Sequence, residues 1–193
     1  FCSGTDGFVT TWYDQSGNAN NATQATASKQ PKIVSLGSTI TYLSKPSILY
    51  NGTSQYIQNS LPTYSSSEQY YIVGEGFTDS GRGAQAIRGG NLWRDGSAFR
   101  FLNGGNMYFT TGSPANNLLV VQLNASDADL YLNNIAATES GSFSPTYNTT
   151  SLIGGAPSVG TYHDSFISEY IVWGNTDNRN EKQTNINDFY SIY

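Results

Sequence analysis

The stretch "NNLLVVQLNASDADLYLNNIAAT", residues 116–138, decides the fold class. In its first half Leu119, Val121 and Leu123 occupy one phase of a period-two repeat, and Leu118 and Val120 fill the other. Successive side chains of a strand point to opposite faces, so a run that is apolar in both phases predicts a central strand covered on both sides. The second half alternates: Leu130 and Leu132 point one way, Asp129 and Tyr131 the other. Asn133-Asn134 then supplies two residues that tolerate the positive φ of a two-residue hairpin turn.

The same signature recurs along the chain at short intervals with turn chemistry between, as in a sandwich or barrel and unlike alternating βα units. Candidate strands are Phe8–Tyr13, Ile33–Ser35, Thr39–Leu43, Ser47–Tyr50, Gln55–Gln58, Gln69–Gly74, Ala84–Arg88, Ala98–Leu102, Asn106–Thr110, Asn117–Leu123, Ala128–Asn133, Ile135–Thr138, Ser151–Ile153 and Ser165–Trp173. The period changes only at the tail, where Ile186, Phe189, Tyr190 and Tyr193 recur at helical spacing after Thr176, the expected N-cap, and Asp177. The Gly-rich stretches "GRGAQAIRGGN" (81–91) and "FLNGGN" (101–106) read as loop tips, without the strand, spacing and helix of a phosphate-binding loop. The expectation is an all-β, antiparallel two-sheet β-sandwich of jelly-roll type with a short C-terminal helix, residues 1–193 forming one domain.

Composition narrows the function. Charged residues make up 12% of the 193, with a net charge of −5 and nine Lys and Arg in all. Nucleic-acid binding needs clustered cations to neutralise phosphates, so neither nucleic acid nor an anionic membrane surface is an expected partner. No apolar run reaches the length of a transmembrane helix, so direct membrane insertion is not expected. The single cysteine, Cys2, rules out an intramolecular disulfide. The chain opens at Phe1 without an initiator Met, so the expectation is a piece of a larger or processed protein. Asn-x-Ser/Thr sequons at Asn21, Asn51, Asn124 and Asn148 are no more than this composition produces by chance.

The opening segment "TWYDQSGNANNATQ", residues 11–24, poses the choice between scaffold and site. Asp14, Ser16, Gly17 and Asn18 suit a tight reversal, because their side chains bond their own backbone or take left-handed dihedrals. Asp14 and Asn18 also offer oxygens to a hard cation, so calcium is the one cofactor the segment leaves open; about 6–8 oxygens would be needed. The scaffold reading is preferred, with the turn pinning the first strand against the last.

Three segments carry a family resemblance. "FVTTWYDQSGNANNATQATASKQPKIV" resembles the Trp-Tyr-Asp-x-Ser-Gly-Asn segment of laminin G-like, concanavalin A-like jelly rolls; "LYLNNIAA" resembles their hairpin, with Asn134 where Gly is usual; and the stretch from "SLIGG" to the C-terminus resembles their closing strands and helix. The resemblance implies a module of bacterial surface proteins, glycan-degrading enzymes or phage tail fibres. The opening is also similar to the N-terminal part of family 54 arabinofuranosidases, which carry an adjacent cysteine pair absent from this chain.

Glycosidase chemistry requires two carboxyl groups in one cleft. Glu75, Asp95, Asp164 and Glu169 are the candidates, and no local motif pairs any two; Glu169 is expected to bond the opening loop. His163, the only histidine, is expected on a loop tip. The clearest binding cluster is "NLWRDGSAFRF", residues 91–101, where an indole beside a guanidinium and a carboxylate offers a sugar ring an apolar face and fixed hydroxyl partners. Trp93, Arg94 and Asp95, with Tyr108, Tyr162 and His163 at the same rim, are the expected ligand-binding residues. The alternative is that Trp93 plugs the core and "RDG" is only a turn. A noncatalytic module that recognises a surface glycan or polysaccharide, carried extracellularly on a larger cell-surface or virion assembly, is the expected function. A structural decoration domain and an arabinofuranosidase-type hydrolase are the alternatives.

Overall fold

The computed structural model describes residues 2–63, 67–77, 83–96, 98–110, 118–142 and 145–192. Two antiparallel sheets dominate it. Across the first, the strands run in the order Gly7–Phe8, Lys32–Ser35, Ile48–Leu49, Phe166–Trp173, Ser67–Gly74, Leu118–Asn124, Ala128–Leu132 and Ile135–Ala136, with Ser38–Thr39 added to Lys32–Ser35. Across the second they run Thr138–Ser142, Asn106–Thr110, Ala98–Leu102, Gly90–Asp95, Gln85–Ile87, Thr150–Ile153, Ile57–Ser60, Ala22–Thr23 and Thr11–Trp12. The chain is therefore an antiparallel β-sandwich, as the short alternating runs predict.

Residues 116–138 behave as their pattern dictates. Leu119, Val121 and Leu123 enter the core between the sheets with Tyr70, Ile72, Phe99, Phe101 and Phe109. Leu118 and Val120 face the other way, into a second cluster with Tyr71, Val73, Ile186 and Tyr190. The two-sided apolar run thus reports the helix Arg179–Tyr190, which lies on the outer face of the first sheet. Gln69, fully buried, fastens its start: the side-chain amide donates to the Thr176 carbonyl at 2.8 Å, and Lys182 Nζ donates to Gln69 Oε1 at 2.9 Å. The helix begins later than its sequence suggests, with Asn178 at the N-cap in a left-handed conformation where Thr176 was expected. Asn133 and Asn134 take φ of 48° and 65°, closing the hairpin that pairs Leu132 with Ile135.

Among the strands that escape the pattern reading, two are long. Gly90–Asp95 is a strand where the Gly-rich stretch suggests a loop tip, because Arg88 (φ 52°) and Gly89 (φ 81°) make the reversal and leave Gly90 extended. Thr138–Ser142, polar throughout, is recruited as an edge strand by pairing with Asn106–Thr110. The opening strand also departs from expectation: Thr11–Trp12 pairs with Ala22–Thr23 in the second sheet, so it does not pair with the last strand, which lies in the first.

Between the sheets sits a buried ion pair. Glu68 shares its phase with Tyr70 and Ile72 and so points into the core at 3% exposure; Arg88, 1% exposed, reaches it from the second sheet. Arg88 Nε donates to Glu68 Oε2 at 2.9 Å, Nη2 donates to Oε1, and the Tyr70 hydroxyl donates to Oε2 at 2.5 Å. Arg88 Nη1 further donates to the carbonyls of Pro62 and Asn148. Burial works against the guanidinium charge, and the hydrogen bonds and charge of Glu68 more than offset it, holding the group protonated.

Removing one partner strands a buried charge, which costs about 3–5 kcal/mol, whereas replacing both by apolar groups is often neutral. Arg88→Met is therefore expected to lower stability by about that amount in urea unfolding, and Glu68→Leu/Arg88→Met to recover most of it; equal losses would count against the pair acting as a unit. A second expectation concerns pH. Glu139 is raised to about 7 by burial, by its hydrogen bond to Asp129 and by the charges of Asp129 and Asp127. The folded chain keeps a proton there that the unfolded chain releases, so this contribution is complete below the ordinary 4.5 and is lost as pH rises through about 7. Glu169, also raised by burial, adds the same sign. Melting temperature should fall between about pH 5 and pH 8, less steeply in Glu139→Gln.

Candidate functional site

Alternation in Ala98–Leu102 sends Phe99 and Phe101 into the core and Arg100 outward. The register of four neighbouring strands then lines up Trp93, Arg100, Tyr108 and Ser140 across the outer face of the second sheet. The Arg100 guanidinium lies 5.1 Å from the Trp93 ring centre and 5.6 Å from that of Tyr108. Its Nε donates to Asn106 Oδ1 at 2.8 Å, and Nη1 lies 3.5 Å from Asp95 Oδ2. Cross-strand pairing thus holds an oriented cation between two aromatic rings, with an amide and a carboxylate alongside and solvent in front.

The sequence-predicted residues divide accordingly. Trp93, Asp95 and Tyr108 share this face; Arg100, which joins them, was not singled out, although its phase in "AFRFL" marks it as outward. Trp93 is 8% exposed and packs with Ala84, Leu102, Ala156 and Val159, so it is not the outward-facing ring expected from its neighbours; the segment after Gly155 covers it. Half-exposed Tyr108 supplies the accessible ring. Arg94 falls on the opposite face of its strand, 5.2 Å over Phe99, with Nε donating to the Gly96 carbonyl. Tyr162 lies in the two-residue strand paired with Gly155–Ala156, beside the cover of Trp93. His163 is no loop-tip residue: it is 0% exposed, packed by Tyr50 and Phe77, because its backbone N–H bonds the Gly154 carbonyl and draws the ring inward.

The candidate carboxylates fall in three places, with Glu75 and Asp164 sharing one. Asp95 is on the outer face of the second sheet, whereas Glu169 bonds Tyr190 of the helix on the outer face of the first, and not the opening loop. Glu75 accepts from Ser165 Oγ at 2.8 Å, and the Asp164 side chain abuts Gly52. Among the described residues no group of three or more His, Cys, Asp or Glu is placed to hold a metal ion.

The opening knot is closed on itself. Asp14 Oδ1 accepts from Ser16 N at 2.8 Å; Oδ2 accepts from Ser16 Oγ at 2.8 Å and Asn20 N at 2.9 Å. The Asn18 amide nitrogen donates to Ser16 Oγ at 3.0 Å, and Gly17 takes the φ of 84° that the reversal requires. Donors fill the carboxylate and hold it below its ordinary range, chiefly through Ser16 and Asn20.

In fold the chain is similar to solved β-rich proteins. A Trypanosoma rangeli sialidase, in complex with 2,3-difluorosialic acid, aligns with a TM-score of 0.55 at 14% identity over 95% of this chain and 32% of its own. A mutant of HCR/D aligns at 0.54 and 14% identity over 93% and 47%. The receptor-binding domain of the botulinum neurotoxin C/D mosaic serotype gives 0.49 at 12% over 75% and 42%. The chain thus spans less than half the length of each, and at these identities the likeness concerns fold alone. No protein-family model and no curated protein sequence matches it.

Asp14→Ala should lower the melting temperature by the same amount in calcium and in chelator. A wild-type melting temperature that falls on adding chelator would instead make the knot a metal site.

Proposed function

We propose that the chain is a noncatalytic glycan-recognition module of laminin G-like, jelly-roll kind, residues 1–193 acting as one unit of a larger secreted, cell-surface or virion protein. The observation that carries this reading is the row Trp93–Arg100–Tyr108, with Asn106 and Asp95 bonded or paired to the guanidinium. A sugar ring needs an apolar face to stack on and oriented partners for its hydroxyls. Tyr108 supplies the first, and Arg100, Asn106 and the half-exposed Asp95 the second. Because the row is open and flat, single-site affinity is modest; a millimolar constant corresponds to about −4 kcal/mol, which multiple copies raise by avidity.

The noncatalytic part rests on the carboxylates. A glycosidase pair stands roughly 5–5.5 or 6.5–9.5 Å apart in one cleft; Asp95 and Glu169 lie on opposite outer faces, and Glu75, the candidate beside Asp164, is bonded to Ser165. The fold neighbours support the reading by analogy only, since one of them is a sialidase holding a sialic acid derivative.

A glycan array on wild type, Tyr108→Ala, Arg100→Ala and Trp93→Ala tests it. Tyr108→Ala and Arg100→Ala should lose binding while stability changes by less than about 1 kcal/mol. Trp93→Ala, which opens a cavity, should cost about 3–5 kcal/mol. No reproducible hit for the wild type would favour a structural decoration domain.

A further inference from the structure

A cleft of about 550 Å³ opens at the side of the sandwich, between the strand Phe166–Trp173 of the first sheet and the strands Thr11–Trp12, Ala22–Thr23 and Ile57–Ser60 of the second, beneath the opening loop. Its volume falls in the range of small-molecule sites. It is separate from the outer-face row: no residue of that row lines it.

Two buried polar groups in its lining have hydrogen-bonding capacity left over. Asn59, on the inward phase of its strand and 6% exposed, makes no hydrogen bond through Oδ1. The buried Tyr170 hydroxyl has the Ser151 side chain as its hydrogen-bonding neighbour and, as both donor and acceptor, keeps capacity for a further bond. Buried polar groups are nearly always satisfied, so an exception calls for an occupant that bonds them. Burial pushes the Tyr170 phenol up, which keeps it a neutral hydroxyl able both to donate and to accept.

The charges around the cleft are already answered. Glu68 at its floor is taken by Arg88 and Tyr70, both oxygens of Asp14 at its mouth by Ser16 and Asn20, and Glu169, which also lines it, is raised by burial and bonded to Tyr190. An ionic ligand would find no uncompensated counter-charge among these groups. The remaining lining mixes apolar and aromatic side chains, half-buried Trp12, Leu61, Ile153 and, at the mouth, Tyr13 at 67% exposure, with the uncharged polar Gln15, Asn18, Asn20, Thr63 and Ser168. A ligand that fits is neutral, carries hydroxyls on one side and presents C–H groups on the other. A hydroxyl also serves Asn59 whichever way its amide is turned.

We infer that this cleft is a second carbohydrate site, taking the terminal unit of a neutral saccharide between Trp12, Asn59 and Tyr170. Because the buried ion pair closes the floor, the site accepts a chain end, whereas the open outer face accepts a chain along its length. The inference stands independently of the outer-face reading.

Amide NMR titration with methyl β-D-galactopyranoside, methyl β-D-glucopyranoside, methyl α-L-arabinofuranoside, N-acetylneuraminate and cyclohexanol tests it. At least one neutral glycoside should shift Trp12 and residues 57–60. Asn59→Leu should weaken that binding roughly tenfold or more while leaving the melting temperature equal or higher, since an unbonded polar group is replaced by an apolar one of similar volume. Should Asn59→Leu fail to fold, Tyr170→Phe, which removes one hydroxyl, must weaken binding on its own. Tyr108→Ala should leave the titration unchanged, and Asn59→Leu should leave unchanged those glycan-array hits that Tyr108→Ala abolishes, so the two sites fail separately. Shifts that survive in Asn59→Leu and Tyr170→Phe, binding of cyclohexanol without any glycoside, or preference for N-acetylneuraminate would each overturn the inference.

Discussion

The contact on which the arrangement of the two sheets depends is the buried pair of Glu68 and Arg88. A carboxylate in the core tolerates few neighbours, so its partner must arrive from the facing sheet at one defined height. Arg88 does so because the backbone turns there in a left-handed conformation, and its N–H is also fastened to Ser151 Oγ at 3.1 Å. Tyr70, Pro62 and Asn148 complete the shell, tying Pro62, the strand Ser67–Gly74, Arg88 and the segment of Asn148 and Ser151 to one point. Apolar packing sets how closely the sheets approach; this polar node sets their relative position, and with it the floor of the cleft.

From that position the two candidate surfaces follow. On the outside of the second sheet, antiparallel register converts alternate residues of separate strands into the row of Trp93, Arg100 and Tyr108. On the side, two-residue strands with the small Ala22 leave the sheets apart where the opening loop hangs over Phe166–Trp173. The helix seals the first sheet by covering Tyr71, Val73, Leu118 and Val120, which leaves the outer face of the second as the sheet surface not taken by the helix.

Much of the architecture was legible before any coordinates. The two-phase apolar run at Leu118–Leu123 announced a strand covered on both sides, and the helix at Ile186 and Tyr190 is what covers it. Asn133-Asn134 announced the hairpin that it makes. The candidate surface is legible in part: "NLWRDGSAFRF" contains Trp93, Asp95 and Arg100 of the outer-face row, but Arg94 lies on the opposite face of its strand. Trp93 is buried and Arg94 turns toward Phe99, because exposure depends on what covers a strand, and the cover of Trp93 comes from residues 156 and 159, more than sixty positions away.

The sequence by itself determined the periodicities: which runs are strands, which phase of each is apolar, where the chain reverses and where the helix lies, all local properties of backbone and side-chain size. Only the tertiary structure decided which polar residues meet. Glu68 and Arg88, Arg100 between two rings, and Asn59 and Tyr170 in the lining of one cleft join residues from different strands and, in two cases, different sheets. Local pattern carries no record of such pairs, because strand order and the position of one sheet over the other are set by burial and charge pairing summed over the whole chain.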